Sequence, residues 1–315
     1  MKRVVIVGSE GQDGRLLSQL LQGEGVPCLR LSRHGLLDKG VSVPFAGLGD
    51  PGAVRRLVKE FIPTQIYYLA AHHHSAQEKT SDDEQFMWQE SVGTHVLGLV
   101  TFLEAIRIHA PACRLFYAAS SHLFGKPAES PQNEKTVFAP DSIYGITKQA
   151  GLQACRYYRR QYGQFTSVGI LYTHESIYRQ KTFVSQKIIQ GALEIKAGRQ
   201  QILTLGDLSA EVDWGYAPDF IDAMVRMLDQ QEPDDYVVAT GRLHSVRQFV
   251  TLVFDQLGIE FEEHVREDPG IIKRKPQQLV GDSSHLREKT GWTPTLSFEE
   301  MVHKLTLDCR RLASL

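Results

Sequence analysis

The 315-residue chain carries 35 Lys and Arg against 37 Asp and Glu, a formal charge of -2, and no basic block that could track phosphates, which argues against a nucleic-acid partner. At 42% hydrophobic and 23% charged residues it has an ordinary globular composition, long enough for a major domain with a smaller lobe. Cys28, Cys113, Cys155 and Cys309 form no CxxC pair, and the apolar start ends at Gly8, too early for a signal peptide; without a long apolar run, a cytoplasmic protein with no membrane partner is expected.

In chain order, Arg3–Gly8 (RVVIVG) reads as a short buried strand, and a helical pattern follows through Leu16, Leu17, Leu20 and Leu21. Val26–Ser32 is the next strand, then a short one at Val41–Phe45 and a helix from Pro51 to Phe61. Gln65–Ala71 is a strand, GTHVLGLVTFLEAIRIHA a long helix, and Arg114–Ser120 another strand. A loop rich in Pro, Glu and Asn leads to a helix over Ser142–Tyr162 and a strand over Ser167–Tyr172. This alternation implies an α/β fold, a doubly wound parallel sheet whose ligands bind beyond the carboxyl ends of the strands. Residues 1–172 are expected to form the nucleotide-binding domain, and 173–315 mainly a substrate lobe with some segments returning to the first.

GSEGQDG places Gly8, Gly11 and Gly14 directly after the first strand and at the opening of a helix. Glycines there permit a tight turn, close approach of a pyrophosphate and close helix–strand packing, while the helix N-terminus offers N–H groups to an anion. A glycine-rich loop with no ligand is the plainer alternative, and the strand–turn–helix context favours a dinucleotide. The second strand ends in Ser32 and Arg33 without the carboxylate that would bind a ribose 2′-hydroxyl, so NADP is expected rather than NAD. Arg33 as solvated surface is the alternative.

SIYGITK sets Tyr144 and Lys148 on one helix face, where an ammonium would favour the phenolate and make the tyrosine a usable acid–base group. A hydroxyl from Ser120 or Ser121 at the preceding strand end would lie beside it. The fingerprint, the strand-end serines and YxxxK together resemble the extended short-chain dehydrogenase/reductase superfamily, and imply a Rossmann-type domain.

Further segments, among them IYYLAAHHHSA, SSHLFGKPAES, ILYTHES, TFVSQKI and LGDLSAEVDWGYAPDFIDAM, are similar to the GDP-mannose 4,6-dehydratase family, in the family's order. The resemblance implies an NADP-dependent enzyme that oxidises a nucleotide-diphosphate sugar at C4, eliminates water across C5 and C6, and returns the hydride to C6. It assigns Tyr144 as base, Lys148 as its partner and Ser120 as the hydroxyl steering the 4-oxygen. Besides the glycines, Ser32, Arg33, Tyr144 and Lys148, it places cofactor contacts at Gln12, Asp13, Asp50, Leu69, Ala70, Ala71 and His174. Substrate contacts fall on His74, Ser121, Thr173, Glu175 and Lys187. A homodimer is implied, with a homotetramer as the alternative, pairing through the helix of Tyr157 and Tyr158 and the helix before it.

The chain departs from the family at its centre. His122 stands where the eliminating glutamate belongs, either doing its work, marking an enzyme that stops at C4, or serving structure alone. Val212 replaces an arginine, KRKPQQ (Lys273–Gln278) an Arg–Pro segment, and Gly47 the first acid of a pair that retains Asp50. The adjacent His72, His73 and His74 cannot all converge on one ion, so no metal is expected. The leading expectation is a 4,6-dehydratase on a GDP-linked hexose or heptose. A C4 epimerase or 4-keto reductase is the first alternative, and a non-catalytic NADP sensor the second.

Overall fold

The computed structural model describes residues 2–32, 35–36, 50–72, 83–271 and 278–313. Its first half runs β1 (Val4–Val7), α1 (Gln12–Gly23), β2 (Cys28–Ser32), β3 (Gly35–Leu36), α2 (Pro51–Phe61), β4 (Gln65–Tyr68), α3 (Glu84–Val92), α4 (Gly98–His109), β5 (Arg114–Ser120), α5 (Ile143–Tyr162) and β6 (Thr166–Leu171). Its second half runs β7 (Thr173–Glu175), α6 (Val184–Lys196), β8 (Leu203–Leu205), β9 (Glu211–Val212), β10 (Trp214–Tyr216), α7 (Ala217–Asp229), β11 (Asp235–Val238), β12 (His244–Ser245), α8 (Val246–Leu257), α9 (Phe261–His264), β13 (Val265–Glu267), α10 (Ser284–Thr290) and α11 (Phe298–Ala313).

Seven strands make the main sheet in the order β11-β6-β5-β4-β1-β2-β3. Its neighbours are parallel except β2 and β3, a hairpin that the sequence pattern did not show. The strands β1, β4 and β6 are buried on every residue, as a sheet covered on both faces requires. One apolar core joins the sheet to α2, α4 and α5, and another joins it to α1, α7 and α10. A third core, outside the sheet, gathers Ile188, Leu205, Trp214, Phe249, Phe298 and Val302 from the outer lobe. The strand order reverses between β1 and β4, so a crevice opens at their carboxyl ends, where such sheets hold ligands. The expected strand at Val41–Phe45 lies outside the described residues.

The long helix expected around residues 93–110 begins earlier and is interrupted. α3 and α4 are joined by a π turn over Gly93–Leu97. Tyr68 Oη donates to the Thr94 carbonyl at 2.6 Å and Tyr117 Oη to the His95 carbonyl at 3.3 Å, giving the widened turn partners from the sheet. By length and composition alone Glu84–His109 could cross a membrane. In this structure it lays Leu99, Phe102, Leu103 and Ile106 into the core instead.

Candidate active site and family

The glycine turn forms because backbone must meet backbone. Gly8 has φ +93°, and a Cβ there would stand 2.7 Å from the Ala70 nitrogen; at Gly14 it would stand 2.4 Å from the Gly8 carbonyl oxygen. The turn hangs on β2, where the Leu31 carbonyl accepts from the Gly8 and Ser9 amides at 2.9 and 3.0 Å. Among the described residues no side chain caps α1, whose N-cap is Gly11, so its first N–H groups suit an anion. Gly8 packs on Leu69 and Ala70, which with Ala71 follow the end of β4. The turn therefore lies at the crevice, as a pyrophosphate site requires.

Other expected cofactor residues have structural partners. The buried Ser32 hydroxyl donates to the Gly35 carbonyl at 3.2 Å within its hairpin. Asp50 caps α2, its Oδ1 accepting from the Gly52 and Ala53 amides at 2.8 and 3.1 Å. Arg33 and His74 lie outside the described residues.

On the other side of the crevice β5 ends at Ser120, and residues 121–124 close into a 3-10 turn whose N-cap is the Ser120 side chain. The His122 amide donates to Ser120 Oγ at 3.3 Å. Gly125, at φ +60°, lets the chain pass under Ala139, and Gly145 lets α5 approach the His122 carbonyl. Ser142 caps α5, accepting from the Gly145 amide at 3.1 Å, so Tyr144 stands in the first turn, over the strand end.

Tyr144 is the centre of the site. Its ring lies edge-on between two imidazoles, His95 at 5.3 Å and His122 at 5.7 Å between centroids, both interplanar angles 87°. Burial pushes its phenol up to about 12, against the pull of a hydrogen bond with Ser120 and of the Arg179 charge. Lys148 is 1% exposed and donates to the Ala118 carbonyl at 2.8 Å, with Nζ 5.7 Å from the Tyr144 ring centroid. Burial pulls its ammonium down to about 7. Desolvation thus acts on both members of the pair, where the sequence alone suggested a simple lowering of the tyrosine by the lysine. Ser121 is buried in the 3-10 turn beside them.

The segment after β6 brings the outer lobe to the site. Its β7 pairs with β10 rather than with the main sheet. His174 binds Asp13 at 3.0 Å, and Glu175 is buried, accepting from Ser185 Oγ at 2.6 Å. Thr173 is half-buried at the start of β7, and Lys187, half-buried in α6, is pulled down by burial.

Sequence reasoning missed two residues here. Fully buried His95 accepts from the His72 amide at Nε2 (3.0 Å), so its proton resides on Nδ1, 2.8 Å from Thr147 Oγ1. The Thr147 hydroxyl donates in turn to the Ile143 carbonyl at 2.8 Å, and the His95–Thr147 bond ties the π turn to the helix of Tyr144. The signal was available: His95 falls on the apolar stripe of Leu99, Phe102 and Ile106. Arg179 lies over the Phe183 ring at 3.8 Å and 3.6 Å from Glu175, and no spacing announced it.

The family model for GDP-mannose 4,6 dehydratase matches residues 5–305. GDP-mannose 4,6 dehydratase 2 of Arabidopsis thaliana is 35% identical over 329 residues, spanning 98% of this chain and 86% of that protein. Among solved structures, RMD from Pseudomonas aeruginosa complexed with NADPH superposes with a TM-score of 0.82 at 22% identity, covering 99% of this chain and 100% of that one. The dTDP-glucose 4,6-dehydratase of Bacillus anthracis with NAD gives 0.82 at 16% identity, covering 100% and 98%. The two structures speak for the extended short-chain dehydrogenase fold, and the sequence match for more: this chain belongs to the GDP-mannose 4,6-dehydratase family.

Proposed function

We propose that the protein is an NADP-dependent nucleotide-sugar 4,6-dehydratase acting on a GDP-linked hexose or heptose. The observation that carries this reading is the Tyr144 phenol, with the Ser120 hydroxyl on it and the His122 ring perpendicular at 5.7 Å. The group for C4 chemistry and a group able to move protons at C5 and C6 share one neighbourhood. The α1 N-terminus and the Gly8–Gly14 turn would hold the dinucleotide, which when bound supplies a hydride acceptor and donor. NADPH and NAD are both found in structural neighbours. The choice of NADP rests on Ser32 and Arg33 and on the lack of a carboxylate at the end of β2, over residues 31–34.

Tyr144 acts from its phenolate, a form that burial disfavours and that the Ser120 hydrogen bond and the Arg179 charge favour, and takes the 4-hydroxyl proton while Ser120 orients the oxygen and Lys148 holds the adjoining ribose. His122 takes the C5 proton and returns one to the departing 6-hydroxyl, which a neutral imidazole can do with its two nitrogens. Anaerobic incubation with GDP-mannose and NADP, read by mass spectrometry, tests the reading. Loss of one water supports it; an unchanged mass with GDP-mannose and with GDP-heptose refutes dehydration.

A C4 reductase or epimerase is favoured by one observation. The ring against Tyr144 at 5.7 Å belongs to His122, an imidazole standing where the resemblance expects the eliminating glutamate. NADPH consumption with a keto-sugar nucleotide would identify the reductase.

We read the exposed Leu97, Ile108, Ile146, Tyr157 and Tyr162 around α4 and α5 as the face that pairs in a homodimer. Sedimentation as a monomer at micromolar concentration would contradict it. A cytoplasmic location fits four cysteines that form no disulfide.

A further inference from the structure

α1 is stitched to the outer lobe along one line of side chains. Gln12 Nε2 donates to the His174 carbonyl at 3.0 Å, and Ser176 Oγ donates back to Gln12 Oε1 at 2.9 Å. Farther along, Gln19 Nε2 donates to Tyr178 Oη at 2.6 Å. Between them the Asp13 carboxylate oxygens lie 3.0 and 3.1 Å from His174 Nε2. His174 Nδ1 lies 2.7 Å from the Tyr172 carbonyl, which can only accept, so that nitrogen carries a proton. Nε2 faces the Asp13 carboxylate, whose charge and hydrogen bond favour the protonated ring against the effect of burial; His174 is 8% exposed and stacked at 4.4 Å on the Phe220 ring.

The pair joins two places that matter. Asp13 stands in the first turn of α1, where its charge would repel an incoming pyrophosphate unless compensated. His174 is the middle residue of β7, between Thr173 and Glu175. Arg179 and Lys148 are the other charged groups that reach Asp13 or the pair.

We propose that Asp13 and His174 are positioning residues that couple the two ligand sites. A dinucleotide at the glycine turn favours the closed pair, the closed pair orders residues 173–178, and the nucleotide sugar then binds a preformed wall. Linkage makes the effect mutual: each ligand tightens the other by the same factor. The proposal rests on reading the 8–14 turn as a dinucleotide site, and its consequence for the sugar rests on 173–178 lining the substrate pocket.

Hydrogen–deuterium exchange of the full chain with NADP alone tests the coupling without needing the substrate. In the wild type, NADP should slow exchange at residues 8–16 and also at 173–178, the latter on the order of tenfold. In His174→Asn and in Asp13→Asn, with NADP raised until protection at 8–16 reaches its plateau in each variant, protection at 173–178 should still be lost. His174→Gln, whose amide can still reach Asp13, should recover part of it, whereas a general loss of structure would affect both His174 variants alike. Equal protection of 173–178 in wild type and His174→Asn overturns the coupling. So does protection in the wild type confined to 8–16. Protection of neither segment overturns the dinucleotide site itself, and the coupling falls with it.

Discussion

Two turns face each other across the crevice, residues 8–14 after β1 and 120–125 after β5, and both solve the same packing problem. In each, a glycine permits backbone to touch backbone: Gly8 against Ala70 and Gly14 against Gly8 in the first, Gly125 against Ala139 in the second. The first turn presents backbone N–H groups at the start of α1, its Gln12 and Asp13 side chains being held by the outer lobe. The second presents side chains, Ser120 and His122, to Tyr144. Binding an anion calls for the former and moving protons for the latter. The family match spans both turns, and His122, which we read as standing in place of a glutamate, lies in the second.

Removing the phenol where the two turns meet should have the largest effect. Tyr144→Phe is expected to lower kcat by about 10²–10⁴-fold while sparing dinucleotide binding, measured by turnover and by fluorescence titration. Retained turnover would remove Tyr144 from the chemistry. Next, Gly125→Ala meets the Ala139 carbonyl at 1.8 Å with φ +60°, so a loss of about 3 kcal/mol or more is expected in urea unfolding. Gly14→Ala, with its Cβ 2.4 Å from the Gly8 oxygen, should cost about 1–3 kcal/mol and loosen dinucleotide binding, which Gly125→Ala affects only through stability. Gly11→Ala comes no closer than 3.4 Å, and its stability should change by no more than about 0.5 kcal/mol.

The buried lysine gives a pH test. Burial holds Lys148 at about 7 against 10.5, so the unfolded chain takes up a proton between those values that the folded chain lacks. The stability associated with this group is present at high pH and lost as pH falls toward 7. Lys148→Met removes that dependence: the variant's stability relative to wild type should be greatest near pH 6 and decline steadily to pH 10. A difference that does not vary with pH would mean that Lys148 keeps its charge on folding.

The glycine turn, the Tyr144–Lys148 spacing and the strand ends were legible because each is written in consecutive residues. Pro51 after Asp50 likewise marks a capped helix start, and α2 begins there. The rest depends on distance in space. Ala139 under Gly125, His72 on His95 and Asp13 on His174 join residues 14, 23 and 161 positions apart, and no local period records such contacts. The depressed lysine was hidden for the same reason, since its cause is burial by the whole fold. The hairpin strand β3 has only two residues, Gly35–Leu36, too few to show any period.

The most direct test follows the hydrogen. With GDP-mannose carrying deuterium at C4, incubated anaerobically with the holoenzyme, the product should have lost one water and carry the deuterium at C6. Recovery of a dehydrated product without the label at C6, or of unchanged sugar from both GDP-mannose and the correspondingly labelled GDP-heptose, would contradict a 4,6-elimination carried out by Ser120, His122 and Tyr144.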